Sequence, residues 1–160
     1  MKRIILLVCV LALSTVAAGS VMIQSNPFVG TWKLNLAKSK FVGMPAPKSL
    51  TRTVVTDDVG VKYTFSGIDA DGKEFEYSFS SNYDGKDSAV SGAGMPGGAD
   101  TVAMTRVNSN MVRAILKKGG TAIGMTNTEV SRDGKVSIVK GSGEGPDGKK
   151  FSMVSIYDEQ

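Results

Sequence analysis

Four times this chain writes Asp-Gly-Lys, at 71–73, 84–86, 133–135 and 147–149, and each copy sits between two short runs of alternating apolar and polar residues. Asp-Gly supplies the positive backbone angles that a tight hairpin needs, so each copy predicts a sharp reversal between antiparallel strands. From Pro27 onward the same pattern repeats, with strands rich in β-branched and aromatic residues followed by turns of Asp, Gly or Asn. It predicts about ten strands, near 28–36, 50–57, 60–68, 73–80, 86–91, 100–107, 110–118, 121–131, 135–141 and 149–157. Short links between successive strands mean an up-and-down meander. A meander this long leaves two adhesive edges unless it curls round, and closure removes them. The expected fold is therefore all-β, an antiparallel up-and-down meander closed into a barrel of about ten strands with little or no helix. Ala37 to Phe41 has room for one helical turn, which Gly43, Pro45 and Pro47 stop.

The first residues read as an address. Lys2 and Arg3 make a basic start, Ile4 to Leu13 an apolar run, and Val16-Ala17-Ala18 a small-residue cleavage site. Residues 1–18 are accordingly expected to be a signal peptide, 19–27 a flexible N-terminal segment, and 28–160 a single barrel domain in an exported, periplasmic or extracellular protein. The apolar run falls well short of the roughly 20 residues that span a bilayer, so no membrane span is expected. Cys9 lies inside the run without the small residues that precede a lipid-anchored cysteine. The formal charge of +4 owes much to this segment: without Lys2 and Arg3, 17 basic residues face 15 acidic ones, a net +2. Those lysines are scattered, which gives a nucleic-acid partner no footing.

Two absences narrow the chemistry. The chain has no histidine, and its one cysteine belongs to the signal peptide. Thiolate nucleophiles, Ser-His-Asp triads, His or Cys zinc sites, His-ligated haem and disulfides are thereby excluded from the mature chain. No cofactor is expected, and the chain reads as a non-enzyme. Glu74 and Glu76, two apart on a strand, mark a solvated face. Oligomeric state is not legible.

Alternation places Val61, Tyr63 and Phe65 on one face of a strand, and Phe75, Tyr77 and Phe79 on one face of the next, opposite Lys62, Thr64, Glu74 and Glu76. The aromatic faces are expected to point inward. Trp32, the only tryptophan, is placed to plug one end of the barrel, with Gly30 letting the backbone pass close to a neighbour. Met104, Met111, Met125 and Met153 fall in four late strands, where core filling is the default and cavity lining or thioether binding of copper(I) the alternatives. Arg52, Arg106 and Arg113 lie within strands. An inward guanidinium needs a carboxylate or a ligand anion, and the phase leaves the direction of all three open, with Arg106 and Arg113 taken as the interior candidates.

Two motifs resolve to bland readings. Gly92-Ala93-Gly94-Met95-Pro96-Gly97 matches G-x-G-x-x-G, but a dinucleotide site needs a helix to follow, and here a strand follows. As a loop at a barrel mouth it is a candidate gate. Asp69-Ala70-Asp71-Gly72 has the centre of a calcium loop, yet Gly67 and Ser78 stand where the first and bidentate ligands belong, so a hairpin turn explains it.

Phe28 to Leu34, with Gly30-x-Trp32 at its centre, resembles the opening strand of intracellular fatty-acid-binding proteins, and the Gly-x-Trp core is shared with lipocalins and other calycin barrels. The longer series Asn26-Pro27-Phe28-Val29-Gly30-Thr31-Trp32-Lys33-Leu34-Asn35, followed by Ala37 to Phe41, Pro45 to Ser49 and Tyr157-Asp158, resembles a group of small exported bacterial proteins, a likeness that carries no function with it. The calycin resemblance implies a ligand-enclosing barrel. The departures matter too. Fatty-acid-binding proteins place two helices between their first two strands, where this chain has a proline-broken stretch. They also hold a ligand carboxylate with a late Arg-x-Tyr pair, and here only Tyr157 carries over. Lipocalins stack a late arginine on the opening tryptophan, and no arginine follows Arg132. Avidin-type barrels surround biotin with several tryptophans, and this chain has one.

The function expected from the sequence is non-catalytic binding or carriage of a small lipophilic molecule. Tyr63, Phe65, Phe75, Tyr77 and Met125 would contact its apolar body, and Tyr157 with Arg106 or Arg113 its polar head. The alternatives are a protein–protein module, such as a periplasmic protease inhibitor that uses Gly19 to Pro27, and a ligand-free envelope structural protein.

Overall fold

The computed structural model describes residues 26–160; the expected signal peptide and residues 19–25 lie outside the described residues. Twelve strands follow one another: β1 (Gly30–Leu34), β2 (Lys40–Val42), β3 (Ser49–Thr56), β4 (Val61–Ile68), β5 (Glu74–Ser81), β6 (Asp84–Ala89), β7 (Ser91–Ala93), β8 (Thr101–Asn108), β9 (Met111–Lys118), β10 (Thr121–Val130), β11 (Val136–Glu144) and β12 (Lys150–Glu159). All pairings are antiparallel, and the wall runs β6-β8-β9-β10-β11-β12-β1-β3-β4-β5-β7, with β2 added to β12. The first strand meets the last, Trp32 opposite Glu159 and Leu34 opposite Tyr157, as the meander requires if it curls round.

Closure is nearly complete, with one correction to the expectation of an edgeless barrel. β5 and β6 are consecutive in the chain but share no ladder: β6 pairs with β8, and β7 folds back onto β5. The reversal between β5 and β6 turns at Tyr83, the one non-glycine residue among those described with a left-handed backbone, at φ 63°. A side chain there costs about 1–2 kcal/mol. The corner is held by the Tyr83 amide donating to Ser81 Oγ at 3.0 Å and by the phenols of Tyr63 and Tyr83 meeting at 2.7 Å. Asp84-Gly85-Lys86 is consequently not a hairpin connection. It opens β6 as a bulge, where the register against β8 shifts between Asp84 and Asp87.

The other three Asp-Gly-Lys copies do turn. Asp133 and Asp147 each accept a hydrogen bond from the lysine amide two residues on, and the 71–73 turn is held by Asp69, which accepts from the Asp71 and Lys73 amides. The carboxylate of Asp69 thus braces the turn. β2 and β7 escaped the sequence reading because three residues cannot display a period. Between β1 and β3 the chain forms a 3-10 turn at Leu36–Lys38 and then β2, so the helical turn expected over Ala37 to Phe41 is shifted and Phe41 lies in a strand.

Trp32 is buried in the core. It is 1% exposed, its indole N–H donates to the Phe28 carbonyl at 3.0 Å, and Phe28 itself is buried against Tyr83. Gly30 is needed for a different reason from the one its position suggests. A Cβ there would meet the indole at an ordinary 3.6 Å, but the backbone φ of 143° is one that side chains resist.

Candidate functional site

Strand residues alternate between the two faces of the wall, and among the described residues those that face inward leave a small cavity of about 70 Å3. Its aromatic side comes from neighbouring strands: Tyr63 and Phe65 on β4 lie opposite Phe79 and Tyr77 on β5. Their rings stack in nearly parallel pairs, with centroids 5.2 Å apart for Tyr63–Phe79 and 4.7 Å for Phe65–Tyr77. Cross-strand register produces this ladder, because opposed residues of an antiparallel pair share a face. Other lining residues are softer, among them Met104, Leu116 and Met153, and β10 contributes Thr126 and Thr128.

Among the described residues, Arg52 supplies the only charge that lines this space. It sits on β3 directly opposite Trp32 on β1, between the inward-facing Leu50 and Val54. Its guanidinium carbon lies 5.2 Å from the Trp32 ring centre and 4.7 Å from that of Tyr157. Nη2 donates to Ser137 Oγ at 2.8 Å, while Nε has no partner. Burial holds its pKa below the ordinary arginine value, an effect that the phenol of Tyr157 tempers. None of the ion pairs among the described residues includes Arg52, and residues 1–25 contain no Asp or Glu. Nor does a phenolate balance it: burial raises the pKa of Tyr63, Tyr77 and Tyr157, so all three stay neutral at ordinary pH.

The segment that matched G-x-G-x-x-G crosses the remaining opening. Met95 and Pro96 line the cavity, the chain turns through a 3-10 turn at Pro96–Gly98, and Ala99 is buried in the core. A Cβ on Gly97 would stand 2.9 Å from Ile123 Cδ1, and Gly94 lies against the Phe75 ring.

The expected site residues separate into groups. Tyr63, Phe65 and Tyr77 line the cavity. Phe75 packs half-buried against the core without lining the cavity, and the Tyr157 ring lies under the Arg52 guanidinium. Arg106 is displaced to the closed end, where its guanidinium lies over Phe28 and Tyr83 and donates to Asn26 Oδ1 and the Ser109 carbonyl. Arg113 and Met125 are corrections. Both are exposed, because inward Val112, Ala114 and Leu116 on β9, and Thr128 and Val130 on β10, fix the opposite parity. Arg113 instead donates to Asn127 Oδ1 across the outer surface. Among the methionines of the late strands, Met104 and Met153 line the cavity, Met111 is half-buried and Met125 faces out, so the four sulfurs do not converge. Sequence reasoning missed Arg52 as the inward cation, although Leu50 and Val54 flank it on one face of the strand and were the available signal. Of the segment Gly19 to Pro27, only Asn26 and Pro27 are among the described residues.

No family model matches the sequence, and no curated protein matches it. Among solved structures, the zebrafish ileal bile acid-binding protein complexed with cholic acid aligns over 84% of this chain and 99% of its own, at 14% identity and a TM-score of 0.47.

Proposed function

We propose that this protein binds a small lipophilic molecule inside its barrel without transforming it, and that it does so after export. The observation that carries the reading is the interior cavity, walled by stacked rings and thioethers and bordered by Met95 and Pro96. A core that only supported the fold would gain from filling this space, since each unfilled methyl-sized void costs about 1 kcal/mol. The volume sets a limit on the guest. Cavities that take drug-sized ligands measure about 300–1,000 Å3, so a sterol or a long fatty acid does not fit the closed barrel. Export is supported by the pattern of residues 1–18.

Mass spectrometry of the protein purified under native conditions from its own compartment, paired with NMR titration by a neutral aromatic such as toluene, tests this reading. The expected result is a stoichiometric small apolar molecule, or saturable shifts confined to the inward methyl groups of Leu116, Met104 and Met153. A protein that copurifies empty and shows no saturable shift overturns it.

A further inference from the structure

We propose that Arg52 anchors the carboxylate of a small organic acid with a compact apolar body. The inference rests on the reading of the cavity as a binding site and names the chemistry that the site selects.

Arg52 is 2% exposed and lines the cavity, yet it has one side-chain hydrogen bond, to the neutral hydroxyl of Ser137. Its Nε hydrogen has no acceptor. Buried charges are ordinarily paired, because removing a charge from water costs far more than a neutral hydrogen bond returns. The rings of Trp32 and Tyr157 hold the guanidinium in place by cation–π attraction, but they carry no net charge to oppose it. A water molecule on Nε would satisfy the donor and leave the charge uncompensated. An anion does both.

The anion's type follows from the count of donors. One guanidinium balances one negative charge, and its planar edge matches the two oxygens of a carboxylate. Among the described residues no lysine or second arginine lines the cavity, so a dianionic phosphate would remain half unpaired. Thr126 and Thr128 line the same space, and a threonine hydroxyl is able to donate to an anion as well. The body of the acid must be apolar and compact, because rings and thioethers make up the rest of the wall and the volume is about 70 Å3. This arrangement differs from a late-strand Arg-x-Tyr pair: the charge comes from β3, across from the tryptophan.

The test compares benzoate with nitrobenzene, its uncharged isostere, in NMR titrations of the whole mature protein with the Arg52 Nε–H resonance assigned. Benzoate is expected to bind at least about tenfold more tightly than nitrobenzene, as a charge-assisted hydrogen bond implies, and to move the Nε–H resonance. Arg52→Met is expected to cut benzoate affinity about tenfold and leave nitrobenzene unchanged by the same reasoning. If Arg52→Met does not fold, the isostere ratio and the Nε–H shift in the wild type decide alone. Equal binding of the two probes, or a saturable benzoate site that leaves the Nε–H resonance unmoved, overturns the assignment of Arg52 while the binding reading stands. Saturation by neither probe overturns both.

Discussion

Replacing Trp32 by phenylalanine tests how the closed end of the barrel is held. The substitution keeps an aromatic face beside Arg52, whose guanidinium carbon is 5.2 Å from the indole centre, but it deletes the indole N–H that reaches the Phe28 carbonyl at 3.0 Å. Phe28 and Trp32 are both 1% exposed, so water cannot replace the lost donor without opening the plug. An acceptor orphaned in this way costs about 1–3 kcal/mol, and the smaller ring adds about 1 kcal/mol for the void it leaves. The sum, about 2–4 kcal/mol, is a large fraction of the roughly 5–15 kcal/mol that stabilises a domain. Urea unfolding followed by far-UV circular dichroism reads it directly, since the variant has no tryptophan to report. The midpoint should fall at unchanged slope, and thermal unfolding should come about 8–16 °C lower. A loss under about 0.5 kcal/mol, the range of an ordinary surface substitution, would show that the plug depends on neither the indole bond nor the indole volume.

Ala114→Leu pushes extra carbons from β9 into the cavity, so it should abolish toluene binding while the circular dichroism spectrum stays that of the wild type; retained binding would place the guest elsewhere. Tyr63→Phe removes the 2.7 Å phenol pair that steadies the strained Tyr83 corner and should cost about 1 kcal/mol in urea unfolding. Gly97→Ala imposes a side chain at φ 68° against Ile123, and should speed hydrogen exchange at the Gly98 amide, which donates to Met95, about fivefold for roughly 1 kcal/mol of strain. The pH profile follows from the turns. The Ser80 hydroxyl holds Asp57 below its ordinary 3.8, and the Gly119 amide does the same for Asp100. A carboxylate depressed in the folded state stabilises above 3.8 and loses that contribution as pH falls through the folded value. Stability should therefore be flat from about pH 5 to 8, there being no histidine to titrate, and should decline below pH 3.8; a titration step near pH 6.5 would contradict this account.

The sequence by itself determined the barrel. Alternation with period two and repeated Asp-Gly turns are local signals, readable residue by residue, and they set the strand faces and the inward rings of Tyr63, Phe65 and Tyr77. Parity within a strand also carried more than was taken from it, since Leu50 and Val54 already pointed Arg52 inward, and Val112 with Ala114 pointed Arg113 outward. Only the tertiary structure decided the rest. That β6 leaves β5 to pair with β8 depends on a corner whose left-handed Tyr83 is stabilised by Tyr63, twenty residues away. That a segment resembling a nucleotide loop becomes the cover of a cavity depends on contacts with Phe75 and Ile123 from other strands. The size of that cavity, and the absence of any carboxylate beside Arg52, are properties of how strands distant in sequence converge, and no period within one strand encodes them.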